Sequence, residues 1–169
     1  IIGRLVGSEM CIRDRYGGDI GIHYHPHFAH WLHIESSYSH IVSNDGNGSY
    51  LPLVPQNRVS TALRFHLDQL KWKKFKVKEL NVQHRFFSPQ RQVAALETNS
   101  DSYNLVNVGV NMMWDWKTPL ELGIGVKNVL NEAYIDHLSR LKNIGLQHPG
   151  RSIYVRVAWD LTIATNKNK

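Results

Sequence analysis

The chain has 169 residues, of which 42% are hydrophobic and 20% are charged, and its formal net charge at pH 7 is +6. This length suits one domain with a core, and no apolar run is long enough for a transmembrane helix. A transmembrane barrel is not excluded, because barrel strands alternate apolar with polar residues. Part of the positive charge lies in residues 71–78 and 167–169 without a helical recognition motif, so no nucleic-acid partner is predicted.

The first 15 residues differ in character from the rest. They read IIGRLVGSEMCIRDR, and VGSEMCIRDR resembles translated read-through of a sequencing adapter. We therefore expect residues 1–15 to be a non-native segment and leave them out of fold prediction. The lone Cys11 falls within this segment, so neither a disulfide framework nor thiol chemistry is predicted.

Alternation of apolar and polar residues predicts about seven strands. In chain order they cover residues 20–28, 31–43, 59–67, 72–86, 103–114, 120–127 and 152–161. The alternation changes phase near Lys78 and Glu79, where a bulge would restore the faces. Helix signals are weak, with one short turn predicted within residues 131–141, so helical-bundle and α/β classes are excluded.

The predicted connections alternate strictly between short and long. The short ones lie near residue 29, at 68–71 and at 115–118, and the long ones at 44–58, 87–102 and 129–150. This sorting is typical of bacterial outer-membrane barrels, which have short periplasmic turns and long extracellular loops. Aromatic residues at the short-turn ends fit an interfacial girdle: Phe28, Trp31, Trp72, Trp114 and Trp116.

The last predicted strand shows the two faces of such a wall. One face is apolar and the other polar, as expected for lipid outside and water inside. The apolar face carries Ile153, Val155, Val157, Trp159 and Leu161, and the polar face carries Ser152, Tyr154, Arg156, Ala158 and Asp160.

The carboxyl-terminal third resembles a known family. Residues 125–161, GVKNVLNEAYIDHLSRLKNIGLQHPGRSIYVRVAWDL, are similar to the carboxyl end of a TonB-dependent outer-membrane receptor. There a strand ends in Asn, a Tyr and a polar loop follow, and Pro-Gly-Arg leads into the last strand. The matching positions are Asn128, Asn131, Tyr134, Pro149, Gly150 and Arg151. The stretches HPHFAHWLHIESSYSHI and YLPLVPQNRVSTALRF resemble upstream strands, so the resemblance covers residues 19–161.

The resemblance implies an all-β fold, an antiparallel up-and-down meander that is an open fragment of a transmembrane β-barrel. Residues 16–161 would be the carboxyl-terminal part of a 22-stranded, plugged barrel, and residues 162–169 a polar tail. The receptor would import a scarce ligand such as a metal chelate or siderophore, cobalamin or a glycan. It would reside in the outer membrane of a Gram-negative bacterium. Its partners would be lipid, a plug domain and TonB, the last two through an amino-terminal part that this sequence lacks.

Strand number adds an expectation about closure. With seven alternating strands, the first and last run in the same direction and cannot meet as antiparallel neighbours. Bacterial single-chain barrels have even strand numbers, so we expect residues 152–161 to pair with residues 120–127 and to leave the other edge open.

Basic and aromatic residues in the long loops and the outer lumen form the candidate ligand site. They would suit an anionic or chelating ligand through charge-assisted hydrogen bonds, although solvated loop charge explains them as well. The candidates are Arg85, Arg91, Tyr134, His137, Arg140, Lys142, His148 and Arg151.

Histidines form a second, weaker candidate. His23, His25 and His27 alternate on one predicted strand face, where imidazoles can share a metal ion. No Cys or carboxylate completes a ligand spacing, so polar wall residues are the simpler interpretation, and neither a metal site nor a cofactor is predicted. No catalytic motif is present, and an enzyme is not predicted. The alternative function is a soluble antiparallel β-domain that acts as a binding module, with metal held by these histidines.

Overall fold

The structure is a computed structural model that describes residues 14–44, 49–67, 71–72, 74–115 and 118–159, with residues 71 and 72 as backbone only. It is one antiparallel sheet in which the order of the long strands follows the sequence. The strands are β1 (Asp14–Tyr24), β2 (Leu32–Asn44), β3 (Arg58–His66), β4 (Lys71–Trp72), β5 (Phe75–Phe87), β6 (Tyr103–Trp114), β7 (Leu120–Lys127) and β8 (Ser152–Trp159). The predicted meander of seven long strands is confirmed, and β4 extends the β3–β5 pairing.

Several strands fall where the alternation predicted them. β6 and β7 have the predicted bounds. The register between β5 and β6 shifts between Val77 and Glu79, which confirms the bulge. An extra residue here returns Leu80 to the face that Val77 occupies, so the apolar stripe of β5 stays continuous.

The first strand differs from its prediction. β1 runs from Asp14 to Tyr24 and not over residues 20–28, and Asp14 pairs with Asn44. β2 has 13 residues and therefore also pairs with Asp14–Asp19, a segment without apolar alternation. At the other end, Ala29 N donates to Pro26 O, so the chain turns where alternation predicted more strand. The adapter-like segment thus contributes its last two residues to β1, and residues 1–13 lie outside the described residues.

The connection between β3 and β5 is described in part. Leu67 N donates to Lys78 O, and Trp72 pairs with Phe75. Trp72 and Phe75 thus lie opposite each other across a reversal of the chain, and the turn predicted at residues 68–71 falls mostly outside the described residues. Aromatic stacks mark this short-turn end of the sheet: Trp31 with Phe65 and Phe75 with Trp114. Of the predicted girdle, the side chain of Trp72 and all of Trp116 lie outside the described residues.

The two faces of the sheet are chemically distinct. The polar face carries ion pairs between neighbouring strands, with Glu35 2.9 Å from Arg64 and Glu121 2.9 Å from Lys78. The opposite face is apolar and largely exposed, and includes Ile20, Ile22, Ile124, Ile153, Val155, Val157 and Trp159. Among the described residues five apolar side chains are buried: Ala29, Leu51, Val54, Tyr103 and Leu105. The sheet is a single layer, whereas a soluble antiparallel sheet packs one face against a second layer.

The side chain of Tyr154 covers part of the polar face. Tyr154 of β8 lies across Gly125 of β7, where an added Cβ would come within 2.5 Å of its ring. Its hydroxyl reaches the space beside Gly109 of β6, and Lys127 lies over its ring at 5.5 Å. Because Gly125 and Gly109 have no side chains, the Tyr154 ring can lie against the backbone of β7 and β6.

Helical structure is confined to one turn in the described parts of the chain. The 3-10 helix η1 spans Lys142–Ile144, just after the predicted turn at residues 131–141. No helix among the described residues is long and apolar enough to cross a membrane.

Candidate functional site

Three long loops meet at one end of the sheet, here called the long-loop end. Loop A is residues 45–57, described from residue 49, loop B is 88–102 and loop C is 128–151. Gln56 of loop A is buried, and its Nε2 donates to the carbonyl oxygens of Ser88 (2.6 Å) and Asp101 (3.0 Å) in loop B. Gln90 Nε2 returns a hydrogen bond to Val54 O. Side-chain amides thus join loops A and B through backbone carbonyls.

A buried polar cluster joins loops B and C. His137 is buried, and its Nδ1 lies 2.9 Å from Ser100 Oγ and 3.0 Å from Lys142 Nζ. Lys142 Nζ also donates to Thr98 O. Burial lowers the pKa of His137, and the neighbouring Lys142 ammonium lowers it further. Burial also lowers the pKa of Lys142. These two predicted site residues therefore hold the loops together.

An aromatic stack anchors loop C to the sheet. Phe87 and Tyr103 stack at 4.5 Å between centroids, Tyr103 and Tyr134 at 4.5 Å, and Tyr134 and His148 at 4.9 Å. The Tyr103 hydroxyl donates to Asp136 Oδ2 at 3.0 Å. The stack runs from β5 and β6 outward into loop C and fixes the position of Tyr134.

Unsatisfied nitrogen atoms lie beside this stack. Arg85 Nε and His148 Nδ1 are buried without a hydrogen-bond partner among the described residues. Burial raises the pKa of Tyr134, and the positive charge of Arg85 acts in the opposite direction. Arg85 lies two residues before Phe87 on the same face of β5. Arg85, Tyr134 and His148 are therefore treated as one cluster, in which Arg85 Nε and His148 Nδ1 have unused hydrogen-bonding capacity.

The remaining basic residues have separate positions. Arg91 forms a 3.1 Å ion pair with Asp101, and Arg151 Nε donates to Val129 O. Arg140 is exposed and borders a groove between the loops. A separate pocket of about 330 Å³ is lined by both Tyr134 and Lys142. The predicted basic mouth is thus divided into two clusters, and its role in ligand binding stays a prediction.

The residues of the family pattern have structural roles in loop C. Asn128 and Asn131 adopt positive φ angles of 51° and 55°, which Asn tolerates better than most residues. The Asn128 side chain exchanges two hydrogen bonds with the backbone of Glu132, and Asn131 Oδ1 accepts from Arg151 N. An added Cβ at Gly150 would come within 2.7 Å of that oxygen. The pattern therefore shapes the path from β7 to β8.

The histidines are arranged differently from the prediction. β1 ends at Tyr24, so His23 lies on that strand whereas His25 and His27 follow it. His25 packs against His33 at 4.1 Å between centroids, and His33 Nδ1 lies 3.1 Å from His66 Nε2. Pairing of β2 with β3 brings His66 here, which sequence spacing could not indicate. Across the described ranges, no group of three or more His, Cys, Asp or Glu side chains is arranged to hold a metal ion.

An open antiparallel sheet with two chemically distinct faces and sorted loops is typical of the wall of a transmembrane β-barrel. Among solved structures, the fold matches Copper transporter OprC with a TM-score of 0.65 and 15% sequence identity. OprC is a TonB-dependent outer-membrane transporter, so the sheet has the fold of part of such a barrel. The match covers 86% of this chain and 23% of that chain. At this identity the likeness defines the fold alone.

No protein-family model matches the sequence, and the comparison with curated proteins gives no match.

Proposed function

We propose that the chain forms the carboxyl-terminal part of the barrel of a TonB-dependent outer-membrane receptor that takes up a scarce ligand. The exposed apolar face carries this proposal. Ile20 is 66% exposed and Val157 is 60% exposed, at opposite edges of one sheet. Burying such a side chain in an apolar phase gains about 1.5–3 kcal/mol. Lipid supplies that phase around a barrel, while the polar face lines the lumen.

The location and partners follow from the same proposal. The receptor resides in the outer membrane of a Gram-negative bacterium, with loops A, B and C outside and the short turns in the periplasm. A plug domain and TonB engage parts of the receptor that precede this chain. A soluble binding module is not favoured by any feature of the described sheet, because neither face is covered by a second layer.

The ligand class follows from the cluster of Arg85, Tyr134 and His148. Its guanidinium and imidazole nitrogens have hydrogen bonds still to make, and charged or neutral oxygen acceptors would satisfy them. An anionic or chelating ligand, such as a metal chelate or siderophore, fits this cluster better than a neutral glycan. Cobalamin belongs to the same group of large ligands with acceptor oxygens. His137, Lys142, Arg91, Arg140 and Arg151 would surround it in the mouth.

The experiment is fractionation of the complete receptor, expressed from the reading frame extended upstream of this chain. We expect the protein in the outer-membrane fraction, with a mobility in detergent gels that changes on heating, as a folded barrel should show. Uptake of the ligand should stop in a strain that lacks TonB. Recovery of the complete protein in the soluble periplasm or cytosol would contradict the proposal.

A further inference from the structure

A groove opens where loops A, B and C meet, and its volume is about 260 Å³. We call it the outer groove. Its lining includes Pro52, Leu53, Leu96, Glu97, Leu138 and Arg140. None of these residues belongs to the aromatic stack or to the cluster around Arg85. The outer groove is therefore a separate feature of the loop assembly.

Exposed leucines form the apolar part of the outer groove. Leu96 is 96% exposed and Leu53 is 63% exposed. Leu53 also has a φ of 59°, a conformation that costs energy for a bulky residue and persists where the surroundings impose it. In this conformation Leu53 N donates a hydrogen bond of 2.8 Å to Glu97 Oε1. The loops thus hold apolar side chains at a water-exposed surface.

His137 adds a hydrogen-bond donor to the lining. An ammonium can only donate, so Lys142 Nζ makes His137 Nδ1 the acceptor. The proton of the neutral imidazole is then on Nε2. This Nε2 is buried, has no hydrogen-bond partner among the described residues and lies 4.0 Å from Glu97 Oε2. A groove occupant with an acceptor oxygen would satisfy it.

Charge in the groove favours an anion. The Glu97 carboxylate accepts from Leu53 N and Ala94 N, and the Lys142 ammonium is held by Thr98 O and His137. Arg140 makes no hydrogen bond or ion pair with another described residue. Its guanidinium is therefore the charged group that remains available to an occupant.

We propose that the outer groove binds a small soluble amphiphile whose carboxylate contacts Arg140 and His137 Nε2 and whose apolar group packs on Leu53, Leu96 and Leu138. The groove volume is equivalent to about nine water molecules at about 30 Å³ each. That space suits a compound of roughly ten non-hydrogen atoms, which is smaller than a membrane lipid. The inference rests on the proposed function, because the long-loop end faces the medium only in an outer-membrane receptor.

The test uses the complete receptor in amphipol and ¹⁹F NMR titration with two probes. 4-Fluorobenzoate carries the apolar group and the carboxylate, and 4-fluorobenzyl alcohol carries the apolar group without the charge. We expect 4-fluorobenzoate to bind about tenfold more tightly, because an ionic hydrogen bond is lost with the alcohol. Arg140→Gln should remove this difference, whereas Arg58→Gln, which removes an exposed charge of β3 outside the groove lining, should preserve it.

The apolar contact has its own variant and control. Leu96→Ser should weaken both probes about fivefold, and Leu130→Ser, an exposed leucine outside the groove lining, should weaken neither. Equal affinity of the two probes, or binding unchanged by Arg140→Gln and Leu96→Ser, would overturn the inference. If the same preparation is a heat-modifiable outer-membrane barrel, such a result leaves the proposed function standing. If the preparation is not such a barrel, both the groove inference and the proposed function are wrong.

Discussion

On the polar face, a glycine in one strand makes room for a large side chain of the neighbouring strand. The ring of Tyr154 occupies the space in which a Cβ of Gly125 would lie, 2.5 Å from its atoms. Glycine is therefore required at this point by contact and not by backbone conformation. Sequence alternation placed both residues on one face, but it could not show that they touch.

Substitution of Gly125 tests this contact. Gly125→Ala should destabilise the receptor by about 1–3 kcal/mol, because the ring must leave its place. Gly21→Ala is the control, since nothing lies within 4 Å of a Cβ there. The double variant Gly125→Ala with Tyr154→Ser should recover part of the loss. The measure is the unfolding midpoint in denaturant, and equal effects at Gly21 and Gly125 would contradict the packing.

His137 gives the loops a dependence on pH. Burial and Lys142 lower its folded-state pKa below the ordinary 6.5, and the weaker effects of Glu97 and Asp136 oppose this. The opened state therefore binds more protons between the folded-state pKa and 6.5. The stabilising contribution is complete above 6.5 and is lost as the pH falls through that window.

Hydrogen exchange measures this effect in the complete receptor. Ser100 N donates to Gln90 O at 3.0 Å, so its amide reports opening of loop B. After correction for intrinsic exchange rates, protection of Ser100 should fall between pH 7.5 and pH 5.5. His137→Gln should remove this pH dependence, and His84→Gln on the sheet should retain it. A parental profile without pH dependence would show that His137 does not control the loops.

At the scale of elements, alternation predicted strands well where both faces carry distinct residues. β6 and β7 have clear apolar and polar sets, and the phase change in β5 located the bulge. β1 was misplaced because its first half, Asp14–Asp19, contains two glycines and no alternation, and pairing with β2 determines its extent. Backbone pairing continues past His66, since Leu67 N donates to Lys78 O.

The candidate site was only partly predictable for a related reason. Residue type identified His137, Lys142 and Tyr134 as polar groups in a loop, but their partners come from loop B and from the sheet. The leucines of the outer groove could not be recognised as site residues from the sequence, since an exposed leucine in a loop is common. Their convergence depends on hydrogen bonds between loops, such as the one from Leu53 N to Glu97.

The faces of β8 provide a prediction at this scale. Val157→Arg places a charge against lipid at mid-strand and should cost about 2–4 kcal/mol. Arg156→Ser, one residue earlier on the polar face, should have little effect. The amount of heat-modifiable barrel formed by each variant of the complete receptor is the measure. Equal losses from both substitutions would contradict the assignment of the faces.

At the scale of the molecule, the sheet has two open edges. β1 pairs with β2 and β8 pairs with β7, and within the described residues no pairing joins β1 to β8. Both edge strands run in the same direction, as expected for seven alternating strands. Open edges leave N–H and C=O groups without partners, which is unfavourable in lipid and promotes association in water. Further strands of a larger barrel would satisfy both edges.

Expression of the 169-residue chain by itself tests whether the sheet is an open part of a membrane barrel. We expect the chain to aggregate in plain buffer and to give no heat-resistant band in detergent gels, because its apolar face and both edges lack partners. Size-exclusion chromatography and limited proteolysis provide the readouts. A monodisperse, protease-resistant monomer in plain buffer would contradict the claim that the sheet is an open part of a membrane barrel.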